Sequence, residues 1–552
     1  MKNASRQYCN PSFLLFGILS VYFLVALIVY VPNMGGDGLR LPHNIICWAV
    51  MLFMILMSGY YVILRGKIKL NEALTFFIGG ACLMSLPFLW GKKDVMIFAL
   101  PRFAGLWGGI FFYLALLQIP MRFSMKTRLI IVFVLSALIQ SCLAFWQLLV
   151  TSPDNFMEFL PGTRPYGIFQ QVNVLASFVA TGYACTLWLL FKAKTKLSCF
   201  LLLFSTVVFT VTLEILQSRA GMYGIVLYLA LILLARHRPK IKGVFIVYIM
   251  LVILTLLTIH CLKSFGIADH FLRFIGSVDK EGTNAERWKI ITITLSMIQQ
   301  HPLSGWGYGS YEYNLSRFAL HHFDYLFGRV DNAHNEFLFE WAEGGVLAIS
   351  GMIFIAIGYF TLLRRYSPSR IAMWGLASPI TFHMMVEYPL LLSTPHWMLL
   401  LLICRLATSE KCKIRRNNSK RDGMIMLSVG ITGVLFMLTG FRTGMALTEF
   451  ERNKMQDFTA ASKVLNPWAQ WERWQYDSHT SLLFKYYQTH QHELLISYED
   501  WGKNYLMHRN DIRVFKNIVQ INRKYPQQAT TMWLQQQWYD YYQFVESAHK
   551  VN

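Results

Sequence analysis

Apolar residues dominate this chain in runs about as long as a bilayer is thick. They occupy 12–31, 44–64, 71–90, 95–119, 127–150, 173–191, 197–216, 220–235, 243–262, 336–362, 371–391, 394–408 and 424–441. About 20 consecutive apolar residues cross the hydrocarbon core as an α-helix. The pattern therefore predicts an all-α polytopic integral membrane protein with about 13 transmembrane helices. The first run, after Lys2 and Arg6, is too long for a signal-peptide core and has no small-residue cleavage site before Pro32, so it reads as an uncleaved anchor.

The connections alternate in character. One set is short and basic: Arg65/Lys67/Lys69, Arg122/Lys126/Arg128, Lys192/Lys194/Lys196, Arg236/Arg238/Lys240/Lys242, Arg364/Arg365/Arg370, and Lys411/Lys413/Arg415/Arg416/Lys420/Arg421. The other set is polar but not basic, the Lys92/Lys93 turn excepted. Threaded in order, the basic set falls on one side. The positive-inside rule then puts the N-terminus in the cytoplasm and the segment after 441 outside. Three segments stand on that outer side: 151–172, 263–335 and the tail 442–552.

Composition sharpens this picture. Of 552 residues, 55% are hydrophobic and 15% charged, with mean hydropathy +0.39. Soluble domains carry roughly 25% charged residues, so the apolar excess must face lipid. A soluble enzyme, a disulfide scaffold and a disordered chain are excluded. The net charge of +21 is mainly the topology signal just described. No basic stripe on a soluble face exists to bind nucleic acid. The nine cysteines lie in or near spans and form no CxxC, so neither structural disulfides nor a cysteine zinc site is expected.

The outer segments differ from one another. The 263–335 stretch holds HPLSGWGYGSYEYN, HHFDY and DNAHNEF, and is too aromatic to read as disordered. Within it Trp288, Ile291, Leu295 and Ile298 recur at helical spacing around Arg287, which predicts an amphipathic helix against the membrane or the bundle. The tail is polar and rich in Trp and Tyr. Helical stretches such as 444–464 and 529–548, punctuated by Asn466-Pro467 and Tyr525-Pro526, predict a small soluble helical domain over 442–552, beside a transmembrane domain over 1–441. Trp468, Trp471 and Trp474 recur every third residue, an aromatic stripe on a helix.

Candidate chemistry gathers at the outer ends of the spans. Arg164 and the pair Gln171/Asn173 precede or open the sixth span, and Arg219 stands at the seventh–eighth junction. Arg287 lies in the long outer segment, His334 immediately before the tenth span, and His383, Glu387 and Tyr388 near the end of the eleventh. Singly, each has an ordinary reading. An Arg at a span end snorkels, a His at a helix start packs or caps, His383 and Glu387 bond as i, i+4 partners, and Gly305, Gly307 and Gly309 serve turns. Together, three Arg, a His and an amide pair on one leaflet ask for an anionic ligand. Guanidinium presents a fork of donors that matches phosphate oxygens. A diphosphate reached from within a bilayer belongs to a polyprenyl diphosphate lipid. Neutral His can take a proton from an acceptor hydroxyl. Arg102, in ALPRFAG, is the contrary residue, since a charge inside a span is a functional-site candidate; it snorkels or helps bind the donor.

RPYGIFQQVNVLA, LQSRAG, ERWKI followed by HPLSGWGYG, DNAHNEFLFEWAEGG and MVEYPL, in this order, resemble the bacterial O-antigen ligase superfamily of Wzy_C-type membrane glycosyltransferases. The family's HNxxLxxxxExG stretch is present as His334, Asn335, Leu338, Glu343 and Gly344. The Glu387–Pro389 motif and the soluble tail are most similar to the PglL, or pilin-glycosylation ligase, type of O-linked protein oligosaccharyltransferase. The family's QPN motif stands here as Gln171-Val172-Asn173.

The resemblance implies transfer of a preassembled glycan from undecaprenyl diphosphate to a Ser or Thr hydroxyl of an exported protein, pilin or another. The reaction would run at the outer face of the bacterial inner membrane, with neither metal nor cofactor. It implies His334 as base, Arg219 and Arg287 as diphosphate ligands, and supporting roles for Gln171 and Tyr388. Arg164 joins the ligands by charge and position, and Asn173 and Glu387 join the supporting set. Three alternatives use similar parts: a ligase to lipid A–core, an O-antigen polymerase, and a transporter of polyprenyl lipid. The sequence shows no internal repeat of the kind transporters carry.

Overall fold

The computed structural model describes residues 11–91, 93–234, 239–264, 280–325, 327, 329–364, 367–408, 412–455 and 463–537. Lys2, Arg6, Lys92, Arg236, Arg238, Arg365, Lys411, and parts of the 263–335 segment and of the tail, including the ends of both predicted tail helices, lie outside the described residues.

Helix accounts for 78% of the structure, and strand for little more than one short antiparallel pair. Among the described residues nine helices are long and apolar enough to cross a membrane, and three shorter apolar helices accompany them at Arg219–Leu234, Phe245–Cys261 and Thr394–Ala407. The chain is an all-α polytopic membrane protein. The run 371–391, read from sequence as one span, is instead divided into helices Pro368–Trp374, Gly375–Ala377, Ser378–Val386 and Pro389–Leu392. Pro389 explains the last break. It cannot donate to a preceding turn and pushes Tyr388 out of helical conformation, so the chain runs extended through Glu387.

The structure divides into two units: Met1–Phe77, Trp107–Val278 and Ala356–Phe441 form one, and Ile78–Leu106, Asp279–Ile355 and Arg442–Asn552 the other. In the first unit four of the basic connections, at 65–69, 122–128, 364–370 and 411–421, gather at one set of helix ends. Ile68–Leu70 pairs with Lys413–Arg415, bringing two of them side by side. Arg364 reaches Glu72. Lys126 Nζ donates to the carbonyls of Leu406 (2.6 Å) and Thr408 (3.1 Å). Buried Arg405 donates to the carbonyls of Leu116 and Ile119 (2.8 and 2.7 Å), at the C-terminal end of a helix. The opposite ends of the same helices carry the other set. Tyr30 meets Glu158 at 3.0 Å, and Asn44 bridges the Leu392 carbonyl and the Thr394 amide at 2.9 and 2.8 Å.

In the second unit, helix Glu336–Thr361 breaks at Gly345 (φ 65°, ψ −155°). The break receives the HPLSGWG loop backbone to backbone: Trp306 N to Ala342 O (2.8 Å), Gly307 N to Glu343 O (2.9 Å) and Val346 N to Leu303 O (3.1 Å). A Cβ on Gly345 would sit 2.2 Å from the Leu303 carbonyl oxygen, so only glycine permits this approach. Gly305, Gly307 and Gly309, all at positive φ, serve that docking as turn glycines.

Helix Lys280–Gln300 forms where the sequence predicts one, but its buried face is Ile290, Ile293, Thr294, Met297 and Ile298. Of the predicted stripe only Ile298 belongs to that face; Trp288 and Leu295 are exposed. The tail helices Trp471–Thr489, Glu493–Tyr505 and Ile512–Lys524 pack around Leu495, Tyr498, Val514, Phe515 and Ile518. The tail also shares an ion network with helix Tyr311–Phe323. Arg509 binds Glu472 with two bonds of 2.7 Å and Glu312 with one of 2.8 Å, and Asn510 N donates to Glu312 at 3.0 Å.

Candidate functional site

In the first unit, the segment carrying Arg164 to Gln171 is moored by two amides of helix Phe123–Leu149. Gln147 Oε1 accepts from Tyr166 N (2.9 Å) and Gly167 N (2.8 Å), while its Nε2 donates to Gly167 O at 3.1 Å. Gln140 accepts from Ile168 N at 3.2 Å. Gly167 is left-handed (φ 58°), and a Cβ there would lie 2.9 Å from Gln140 Oε1. The moored segment delivers Gln171 as N-cap of helix Val172–Leu190, its Oε1 accepting from Val174 N at 2.7 Å. Val172 stands at the first helical position, where proline is favoured. Replacing the proline of the QPN motif by valine thus leaves the cap intact.

The break before Pro389, where Glu387 is extended, sets the Glu387 carboxylate on this cap. Gln171 Nε2 and Asn173 Nδ2 donate to its two oxygens at 3.1 and 2.7 Å, and His383 Nε2 lies 3.0 Å away. Half-buried Arg164 donates to the Leu216 carbonyl at 3.3 Å. Burial pulls its pKa down and the Glu387 charge opposes that, so guanidinium and carboxylate share one field. Asn173 Oδ1 accepts from Ser218 Oγ at 2.8 Å, tying the cluster to the start of helix Arg219–Leu234. Arg219 is exposed at that start. A cation at the positive end of a helix dipole is unfavourable unless an anion joins it. Tyr388 is half-buried beside Glu387 in the chain. Arg164, Gln171, Asn173, Glu387 and the start of the Arg219 helix thus form one neighbourhood.

Arg287 and His334 belong to the second unit. Arg287 is half-buried on helix Lys280–Gln300. His334 is held between two asparagines. Its N–H donates to Asn332 Oδ1 at 2.9 Å, and the next residue, Asn335, caps helix Glu336–Thr361 by accepting from Phe337 N and Leu338 N, both at 3.0 Å. His334 itself is left-handed (φ 52°). Such a backbone costs a non-glycine residue roughly 1–2 kcal/mol, and strain of this kind collects at functional positions. Among the described residues no group of three His, Cys, Asp or Glu has the arrangement of a metal site.

Three family models match the chain. O-antigen ligase matches 204–353, which holds Arg219, Arg287 and His334. Protein glycosylation ligase matches 165–190, which holds Gln171 and Asn173. Virulence factor membrane-bound polymerase, C-terminal, matches 371–545, which holds Glu387, Tyr388 and most of the tail. The chain belongs to the O-antigen ligase/protein glycosylation ligase superfamily. It is an O-antigen ligase-family membrane glycosyltransferase, a class that works on a lipid-linked glycan donor and a glycan acceptor. No curated protein matches it.

Within this O-antigen ligase-family chain, Glu343 of the HNxxLxxxxExG stretch does structural work that the sequence did not reveal. Its Oε1 accepts from Gly309 N (2.9 Å) and Tyr311 N (3.1 Å), and its Oε2 meets Arg102 Nη2 at 2.6 Å. Glu340 Oε1 lies 3.1 Å from Arg102 Nε, and Phe339 stacks on the guanidinium at 4.5 Å. Two carboxylates therefore hold Arg102, which the sequence reading had snorkelling or binding donor. Arg102→Met leaves both carboxylates buried without their cation and is expected to destabilise the protein by about 3–5 kcal/mol. Adding Glu340→Met should recover part of that loss, as measured by thermal unfolding in detergent.

The aromatic stripe of the tail also forms. Trp468 stacks on Trp471 at 4.6 Å, and Trp474 lies tilted against Trp471 at 5.4 Å. It is pinned to helix Ser419–Arg452 by Asn466 N to Thr443 Oγ1 (3.0 Å) and by Arg473 to Glu451 (2.8 and 2.6 Å). Sequence reasoning missed Gln140, Gln147 and Ser218. The two glutamines had a signal: amides seven residues apart, on one helix face, in an apolar run.

Proposed function

We propose that this family member is an O-linked protein oligosaccharyltransferase of the bacterial inner membrane. It moves a preassembled glycan from undecaprenyl diphosphate to a Ser or Thr hydroxyl of an exported protein, on the periplasmic side. The observation that carries this reading is the protein glycosylation ligase match over 165–190, the segment that builds the Glu387 neighbourhood. The transmembrane part, 1–441, does the chemistry together with the 263–335 segment. The tail, 442–552, is a periplasmic helical domain.

In this mechanism the acceptor oxygen bonds to the anomeric carbon. The bond from that carbon to the diphosphate oxygen breaks, and the electron pair leaves with the diphosphate. The hydroxyl proton passes to His334. Arg219, Arg287 and Arg164 hold the diphosphate and stabilise the charge it gains. Gln171, Asn173, Glu387 and Tyr388 support that site. The glycosyl diphosphate is already activated, so the step asks for no nucleotide.

The polymerase model over 371–545 favours a second reading, in which the acceptor is another glycan. Two measurements on a deletion strain separate them. Loss of glycan from exported proteins in mass spectra, with lipopolysaccharide unchanged, supports the protein acceptor. Unchanged glycoproteins with shortened or missing O-antigen overturn it in favour of a polymerase or a ligase to lipid A–core. Transfer by purified protein in vesicles without any gradient argues against a transporter.

A further inference from the structure

A buried polar chain runs inward from Glu387, and the transfer chemistry above makes no use of it. His383 Nδ1 lies 2.9 Å from Ser177 Oγ. Ser177 Oγ lies 3.0 Å from His396 Nε2, and His396 Nδ1 lies 2.8 Å from Ser393 Oγ. His383, Ser177 and His396 are 0% exposed. Four helices or breaks contribute: Val172–Leu190, Ser378–Val386, the extended Ser393, and Thr394–Ala407. Buried polar groups of this kind are costly unless each is satisfied.

Elementary donor chemistry orders the hydrogens. An ionised carboxylate only accepts, so His383 Nε2 carries a hydrogen towards Glu387. In the neutral imidazole its Nδ1 then accepts, and Ser177 donates to it. The Ser177 oxygen accepts from His396 Nε2, whose Nδ1 accepts from Ser393. Every donor points towards Glu387. The other hydrogen-bond acceptor within reach of the Ser177 hydroxyl is the Val174 carbonyl at 3.1 Å.

The outer half of the network is equally determined. Gln171 presents oxygen to the Val174 amide and nitrogen to Glu387. Asn173 presents oxygen to Ser218 and nitrogen to Glu387. A flip of either amide would set its oxygen against the Glu387 carboxylate, acceptor against acceptor. Ser218 is the residue before Arg219, so the path His383–Glu387–Asn173–Ser218 ends at the helix start that presents the arginine.

We propose that His383 and Ser177 are positioning residues, which fix Glu387 so that Asn173 and Ser218 set the Arg219 helix start for a diphosphate-bearing lipid. The inference rests on the reading of Arg219 as a diphosphate ligand. It adds residues to the donor site that hold no contact with donor themselves.

The test uses the full chain in lipid nanodiscs, with undecaprenyl diphosphate bearing no glycan as the probe. Its dissociation constant is measured for the unaltered protein and for His383→Phe, His383→Gln and Ser218→Ala. A hydrogen bond to a charged group is worth about 1.5–3 kcal/mol, so His383→Phe should weaken binding roughly 10- to 100-fold. His383→Gln, which again offers a nitrogen donor to Glu387, should recover most of the affinity. Ser218→Ala, which cuts the path at its far end, should weaken binding several-fold, and it keeps the question open to measurement should His383→Phe fold poorly. In transfer assays the donor KM should rise while the acceptor KM stays put. Probe binding unchanged in Ser218→Ala and in folded His383 variants overturns the inference alone. Failure of the unaltered protein to bind the probe overturns the diphosphate reading and the inference with it.

Discussion

Replacing His334 by alanine should lower glycan transfer by about 10²–10⁴-fold, the usual worth of general-base assistance, while membrane insertion and thermal stability stay near normal. The structure calls for a control. His334 is left-handed, and alanine in that conformation carries backbone strain. His334→Asn and His334→Gly tolerate the same backbone. If the imidazole is the base, all three variants lose activity alike. If only the turn matters, asparagine and glycine retain it. The two asparagines around His334 keep the turn in place in each case, since their bonds run to backbone amides. Near-normal rates in the alanine variant would remove His334 from the mechanism and turn attention to His321 and His322. Those two lie on the last turn of helix Tyr311–Phe323, where His322 stacks on Phe318 at 4.1 Å.

Lysine at Arg219 or at Arg287 should be nearly as damaging as loss of the side chain, with a drop of about 10²-fold or more. The charge survives that change, but the planar fork that grips two phosphate oxygens does not. Stabilising a leaving diphosphate is transition-state work, and removing a single preorganised donor from such a site typically costs about 10²–10³-fold. The loss should fall on kcat as well as on donor KM. For Arg219 the helix start remains positive without the side chain, so residual donor binding should outlast transfer. Full activity in both lysine variants would reduce these residues to interfacial anchors.

Much of the fold could be read from apolar run length, because a helix in lipid must satisfy its own backbone. Twelve of the thirteen predicted runs contain a helix apolar enough for the bilayer, nine long and three shorter. The exception, 371–391, shows the limit of that reading. Hydropathy does not register what Pro389 does to Tyr388, and the break it makes is what turns Glu387 onto the Gln171 cap. The bond between His383 and Glu387 was legible because i, i+4 contact is fixed by the helix itself. Ser177, His396 and Ser393 were not. The contacts of Ser177 with His383 and His396 cross between helices and depend on the register at which those helices pack, which no local pattern encodes. Helix Lys280–Gln300 carries apolar residues on more than one face, so periodicity found the helix but chose Trp288 and Leu295 over Ile290, Ile293 and Met297. Arg102 looked like an intramembrane charge in search of a ligand, because its partners Glu340 and Glu343 lie more than two hundred residues away.

The ion network around Arg509 sets a timetable for biosynthesis. Arg509 leaves the ribosome 197 residues after Glu312, the carboxylate it binds. Until it arrives with Asn510, helix Tyr311–Phe323 lacks the bonds that tie it to the tail. The segment that holds His334 is therefore completed near the end of synthesis. On the proposed mechanism, a nascent chain cut short before residue 509 carries arginines for the donor without a finished mount for the base. On that mechanism, catalytic competence then reports that synthesis has passed residue 509.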